Sequence, residues 1–378
     1  MPHGSINTEV LSMLLILLVI VTVNNTRNRH RLTKSALVHP KFSPWINLLR
    51  NADDGSFLTI TGFSRFAFNE LEKVLFDADG MLSVGSKRGR PELIDNRGKL
   101  GIYLLYVTSR MEVKMICLIF GVPPTTCIGY INKMIELVTK RLSKNDAAKI
   151  HFPKSDEEKS YYASLVALRE PSVRNCIGFV DGVSVPVQCC SEVEAQNKEY
   201  NGYRHDTHVN NNVLAFSPTG MVIYAAINYP GSWHDSTVSA GLIELVIATI
   251  GLFCLCVDQG FPRSGSLFEK FVGPISKKAK KELEPILRDL IMAKSALFTS
   301  LRQAAEWGMR ALQGTFSRLK ARLGSNKKKR GKIIHSIILL HNFRTYYVGL
   351  NQIATVFNPH YEQYVNLENY DRIRNYFL

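Results

Sequence analysis

No two of the seven cysteines in this 378-residue chain form a CxxC pair, and their number is odd. A zinc knuckle therefore lacks its spacing, and a disulfide framework lacks its density. Cys117, Cys127, Cys176, Cys189, Cys190, Cys254 and Cys256 read as reduced thiols of an intracellular protein. The chain also lacks an apolar run of the roughly 20 residues a membrane-spanning helix needs. Residues 10–23 are continuously apolar, a stretch of 14 residues followed by Arg27, Arg29, His30 and Arg31. A secretory signal carries its basic residues ahead of the apolar stretch and ends in a small-residue cleavage site, and neither feature is present. The run reads as a helix buried in the fold or packed on a partner, and no membrane is expected. No internal repeat stands out, which speaks against a solenoid.

Acids are scarce: 32 Asp and Glu stand against 47 Lys and Arg, a net charge of +15. A folded chain this basic favours a polyanionic partner, nucleic acid first and anionic membrane second. It is not disordered by composition, because hydrophobic residues make up 46% and include 19 Phe, 15 Tyr and 3 Trp. Its length allows two or three domains.

Residues 1–60 hold the apolar helix, a basic segment and Trp45. Residues 61–145 read as helical, with Phe68, Leu71, Val74 and Leu75 at helical spacing and a break at Gly89 and Pro91. Within them, helices over 99–110 and 112–120, the turn Gly121-Val122-Pro123 and a third helix to about residue 140 resemble a helix-turn-helix. Thr125 would cap the third helix, and Ile116, Ile119, Val122, Ile128 and Ile131 would form its small core. On this reading Thr125, Thr126 and Lys133 face DNA; a helical domain without DNA contact is the alternative.

Residues 146–172 read as a polar linker containing a helix. Strands are expected over 176–187, then over 212–217 and 221–227 as a hairpin about Pro218-Thr219-Gly220. An amphipathic helix over 236–250 and a buried strand over 252–257 follow, the latter with Cys254 and Cys256 on one face. Helices extend from about 283 to 345, and 346–378 form a tail. Three strands, a helix and a fourth strand are the order of an RNase H-like core. The expected fold is therefore α/β: an RNase H-like mixed sheet over residues 173–345, preceded by a helical, helix-turn-helix-like domain and completed by a helical tail.

Four acids fall at suggestive places. Asp181 ends an apolar strand before Gly182, Asp235 opens the following helix, Asp258 directly follows the last strand, and Glu306 lies in the long helix. Each has an ordinary reading: a turn residue, a helix N-cap, a second turn residue, and one end of an i,i+4 pair with Arg302. Together they suggest metal chemistry. Converging carboxylates repel one another, and a hard divalent cation relieves that repulsion with oxygen ligands. Mg²⁺ or Mn²⁺ held by Asp181, Asp235, Asp258 and Glu306 would suit phosphodiester hydrolysis, with strand transfer by a freed 3′-hydroxyl as a further step.

The motifs around these acids resemble those of PIF/Harbinger transposases and the nucleases derived from them. Gly178-Phe179-Val180-Asp181-Gly182 with Val185-Pro186-Val187 is similar to the first acidic motif of that family. Tyr200-Asn201-Gly202-Tyr203-Arg204, His208 and Asn212 resemble the segment after it. Pro230-Gly231-Ser232 with His234-Asp235-Ser236 is similar to the second motif, and Val257-Asp258-Gln259-Gly260-Phe261-Pro262 to a Gly-Asp-Ser-Gly-Tyr-Pro element. Arg302, Glu306, Phe316, Arg318, Leu319 and Lys320 resemble the last motif and its basic helix. The resemblance spans about residues 175 to 345. It implies a divalent-metal DNA endonuclease or transposase acting on double-stranded DNA, with Asp181, Asp258 and Glu306 as the core acids and Asp235 as a fourth. It also implies a Myb-like DNA-binding partner protein. Two departures are a Val-Asp-Gln third element and a long, lysine-rich stretch before Glu306, in which Glu282 and Glu284 are the local alternatives.

His208 or His234 would contact phosphate or orient a carboxylate, and His205 reads as a loop residue. The basic runs 277–281 and 327–332, with Arg318, Lys320 and Arg322, would track a DNA backbone; the second run also suits nuclear import. A homo-oligomer is compatible with all of this. Two other readings stay open: a domesticated DNA-binding protein that keeps the fold without cutting, and a membrane-attached protein using residues 10–23.

Overall fold

A computed structural model describes residues 8–28, 32–76, 92–202, 209–281 and 283–358. The apolar N-terminal run lies in α1 (Thr8–Asn28), and its side chains from Val10 to Val23 are exposed. This corrects the expectation that the run is buried within the fold; packing on a partner is the part of that reading left standing. Among the described residues no single helix is long and apolar enough to cross a membrane.

Helices α2 (Pro44–Asn51), α3 (Asp54–Thr61), α4 (Arg65–Phe76), α5 (Asn96–Thr108), α6 (Val113–Phe120) and α7 (Pro124–Leu142) form a helical layer. Their core is aromatic: Trp45 stacks on Phe120 with ring centroids 5.0 Å apart and also meets Phe57 and Phe68. Helices α6 and α7 meet at 99°. The turn between them needs Gly121, which has φ +67° and lies so close to the Val38 carbonyl that a side chain there would collide with it. Thr125 does not cap α7, because Pro123 occupies the cap and Pro124 opens the helix. Ile116, Val122 and Ile131 are buried as expected, whereas Ile128 is exposed and outside the core.

Helix α8 (Asp156–Arg169) occupies the expected linker. The Glu158 amide donates to the Ser155 hydroxyl at its start, and three acids fill its first turn, where the helix dipole favours negative charge. The sheet follows: β1 (Cys176–Pro186), β2 (Val209–Phe216), β3 (Val222–Pro230), β4 (Cys254–Cys256) and β5 (Phe271–Val272), in the order β3-β2-β1-β4-β5. Strands β1, β2 and β3 pair antiparallel, while β4 lies parallel to β1 and β5 parallel to β4. This mixed open sheet is compatible with the expected RNase H-like core.

Side chains alternate between two buried layers. Phe179, Leu214, Phe216, Val222, Cys254 and Cys256 point to one, and Val180, Val213, Ala215, Ile223 and Leu255 to the other. The second face is covered by α10 (Asp235–Val238) and α11 (Ala240–Ile247), through Val238, Leu242 and Val246. These two helices replace the single expected helix over 236–250 and break at buried Ser239. The short helices α9 (Val193–Lys198) and α12 (Lys277–Lys281) lie in connections.

The first face is covered by α13 (Pro285–Thr315), α14 (Lys327–Val348) and α15 (Gln352–Phe357). These helices also complete the core of the N-terminal layer. Phe63 packs against Phe316 and Phe343, and the Tyr103 hydroxyl donates to that of Ser336 at 2.7 Å. Packing is thus continuous across residue 145, where a separate 61–145 domain would show a seam. The expected boundary at 346 cuts through α14, and α15 packs Phe357 on Phe179, with ring centroids 4.9 Å apart.

Candidate active site

The parallel pairing of β1 and β4 sets the site. Phe179 pairs with Cys256, so two residues further on Asp181 stands level with Asp258. By alternation both carboxylates turn to the face that α13 covers. Asp258 lies just past the carboxyl end of β4 and Asp181 in the middle of β1, just beyond the stretch that pairs with β4 and within the stretch that pairs antiparallel with β2.

Gly182 points to the opposite face. A side chain built there would stand 2.6 Å from the Asp235 carboxylate, so glycine is what lets Asp235 approach the strand. The N-cap of α10 is His234, and Asp235 is its first helical residue, so the N-cap reading of Asp235 does not hold. Glu306 arrives on α13, which reaches the sheet so closely that a side chain at Gly308 would meet the Phe216 ring at 2.8 Å. Asp181, Glu306, Arg310 and Lys320 line one cavity of about 490 Å³. Glu284, the local alternative to Glu306, sits exposed at the N-cap of α13, about 33 Å along the helix axis from it. Glu282 lies outside the described residues.

Electrostatically the site is one unit. The Asp181 carboxyl is pushed up to about 6, first by burial and further by Asp258 and Asp235; the Gly182 amide, donating to it at 2.8 Å, and the Arg302 charge oppose the rise. Arg302 joins two of the acids: its Nη2 lies 2.7 Å from Glu306 Oε1 and its Nε 3.7 Å from Asp258 Oδ1. The i,i+4 pair read from sequence is therefore present, and the same guanidinium also serves the sheet acid. Among the described residues no three His, Cys, Asp or Glu side chains converge closely enough to hold one metal ion. The donor set itself, all carboxylate oxygen, is of the kind hard divalent cations take.

The proposed DNA contacts divide. Lys320 is exposed at the lip of the cavity, and a bridge between Val187 and Leu323 carries the chain after it along the end of β1. Arg322 is exposed nearby in sequence. Arg318 is committed to the fold: it donates to the carbonyls of Tyr106 and Met111 and lies over the Tyr106 ring, 4.2 Å from its centroid. On α7, Thr125 and Lys133 are exposed and Thr126 is half-buried. Within the basic run 327–332, Arg330 is only 2% exposed and pairs with Glu199 at 2.6 Å, leaving Lys327, Lys328 and Lys329 in solvent. His234 is exposed beside Asp235, while Tyr203, Arg204, His205 and His208 lie outside the described residues. Sequence reasoning missed Arg310; its signal was a spacing of four from Glu306, which puts Arg302, Glu306 and Arg310 on one stripe of α13.

Residues 180–342 match a family model described as DDE superfamily endonuclease. The matched stretch begins one residue before Asp181 and ends within α14, so it spans all four acids. No curated protein and no solved structure matched the chain.

Proposed function

We propose that this protein is a divalent-metal-dependent endonuclease of double-stranded DNA, of the PIF/Harbinger transposase type. The observation that carries the reading is the shared electrostatic centre of Asp181, Asp235, Asp258 and Glu306 inside the stretch that matches the endonuclease family. Asp181 and Asp258, level with one another on adjacent strands, would hold the cation, Mg²⁺ or Mn²⁺, with Asp235 and Glu306 contributing negative charge around it. When bound, it would supply positive charge to the scissile phosphate and to the attacking water.

The chain's own residues act around it. Lys320 and Arg310, lining the cavity with Asp181 and Glu306, bind the phosphates on either side of the scissile bond. Arg302 orients Asp258 and Glu306 and offsets their mutual repulsion. Burial of Asp181 keeps bulk water from solvating its charge, which raises the benefit of a cation there. Thr125 and Lys133, exposed on a helix that meets its predecessor at 99°, are the proposed duplex contacts of a helix-turn-helix. A DNA substrate and the exposed lysines 327–329 support a nuclear location. The Myb-like partner rests on the family resemblance, and a homo-oligomer is compatible with the reading.

The test is nicking of supercoiled plasmid with Mg²⁺ or Mn²⁺ by the full chain and by Asp181→Asn. The wild type should nick, and the variant should bind duplex equally while nicking at least about a hundredfold more slowly. A wild type that binds DNA and nicks with neither ion returns the reading to a DNA-binding protein without cleavage.

A further inference from the structure

Two cavities flank the stretch of β1 from Gly182 to Ser184, and their chemistry differs. The one already described is lined by Asp181, Glu306, Arg310 and Lys320. The other, about 540 Å³, opens beside Asp235 and is lined by Tyr200, Asn201, Asn211, Ser232 and Trp233. Among the described residues its ionisable lining groups are Tyr200, His234 and Asp235, and none is a lysine or arginine. A groove that tracks a phosphate backbone needs cations. This cavity offers aromatic faces together with amide and hydroxyl groups, the combination that takes the π-face and the hydrogen-bonding edge of a nucleobase.

We propose that this cavity is a stacking site for an unpaired DNA base, with Trp233 and Tyr200 as its platforms. The identity of the polymer rests on the endonuclease reading. Trp233 and Tyr200 are 42% and 43% exposed as residues, large side chains left partly in water beside Asp235. In a duplex the faces of each base are covered by its neighbours, so only an unpaired base presents a face to stack. Both cavities include Gly182 and Ser184 in their walls, so the aromatic cavity adjoins the cationic one across β1.

The wall is fixed before any ligand arrives. Asn211 donates to the Trp233 carbonyl at 2.6 Å and to the Gly231 carbonyl at 3.2 Å. The Trp233 ring leans on Tyr229, centroids 5.5 Å apart. Asn201 donates to the Gly231 carbonyl at 3.0 Å, and the Ser232 amide to the Lys198 carbonyl at 3.1 Å. Next to Tyr200, Glu199 is held by buried Arg330, which ties this wall to α14. Such preorganisation lowers the ordering cost of binding. The site thus favours DNA whose end is frayed or single-stranded over intact duplex.

The test uses the full chain in EDTA. The probes are duplexes ending in a short unpaired 3′ or 5′ segment that carries 2-aminopurine, with a blunt duplex as reference. Wild type should quench the fluorophore and bind one of the unpaired ends more tightly than blunt DNA. Trp233→Ala should lose the quenching and weaken binding to that end by about tenfold, with blunt binding unchanged. Trp233→Phe should retain most of the preference. The proposal is overturned by a wild type without preference, by equal loss on both DNAs, or by quenching that survives in Trp233→Ala. Quenching without plasmid nicking would remove the cleavage reading and leave the base site, and nicking without quenching would do the reverse.

Discussion

At the scale of single residues, Asp181 carries the clearest physical signature. Its carboxyl rises from the ordinary 3.8 to about 6, chiefly through burial, so the folded chain binds its proton more tightly than the unfolded chain does. That contribution to stability is complete below about 4 and is lost as pH rises through about 6. Asp181→Asn removes the titration. In metal-free urea unfolding the variant should match wild type at low pH and exceed it above about pH 6, by at most about 3 kcal/mol less what solvent screens at this half-buried site. A difference that is constant with pH would contradict the assignment of burial as the cause. The three aspartates were legible in sequence because each follows an apolar run or opens a helix, whereas Glu306, inside a long helix, was legible only through its motif. The role of Arg302 between Asp258 and Glu306 was only half legible: the helical spacing gives one partner, and the other requires knowing that α13 crosses the end of β4. The bonds of Arg318 to two backbone carbonyls were not legible, because a basic residue in a charged segment looks the same whether it faces solvent or the fold.

At the scale of elements, the packing of α13 on the sheet is what delivers Glu306. Gly308, two residues along, rests against the Phe216 ring. Gly308→Val adds bulk there that must lift the helix, at a cost of about 1–3 kcal/mol. It should lower plasmid nicking far more than duplex binding, with a lower thermal midpoint; nicking at the wild-type rate by a destabilised variant would show that the site does not depend on this contact. Strands β1 to β4 were legible because their apolar runs are bounded by turn residues, as at Pro218-Thr219-Gly220. Strand β5 was not, since two residues are too few for any alternation. The break between α10 and α11 at Ser239 escaped as well, because the apolar pattern continues through it.

At the scale of the whole molecule, helices from opposite ends of the chain share one core. Contacts such as Phe63 with Phe343 and Tyr103 with Ser336 join residues more than two hundred positions apart, and local periodicity carries no information about such pairings. That is why the continuous packing between the helical region 61–145 and the helices after the sheet was not legible in sequence. The consequence for the proposed function is that α7, bearing Thr125 and Lys133, is packed into the same core as the helices that cover the sheet, so the proposed duplex contacts and the acids are held in one frame. The central claim is that these acids form a single cation-dependent centre, and a calorimetric Mn²⁺ titration of the full chain near neutral pH tests it most directly. Wild type should bind the ion, and Asp181→Asn and Asp258→Asn should each weaken binding at least about tenfold. Equal Mn²⁺ binding by wild type and both variants, or none by any of them, would contradict the account.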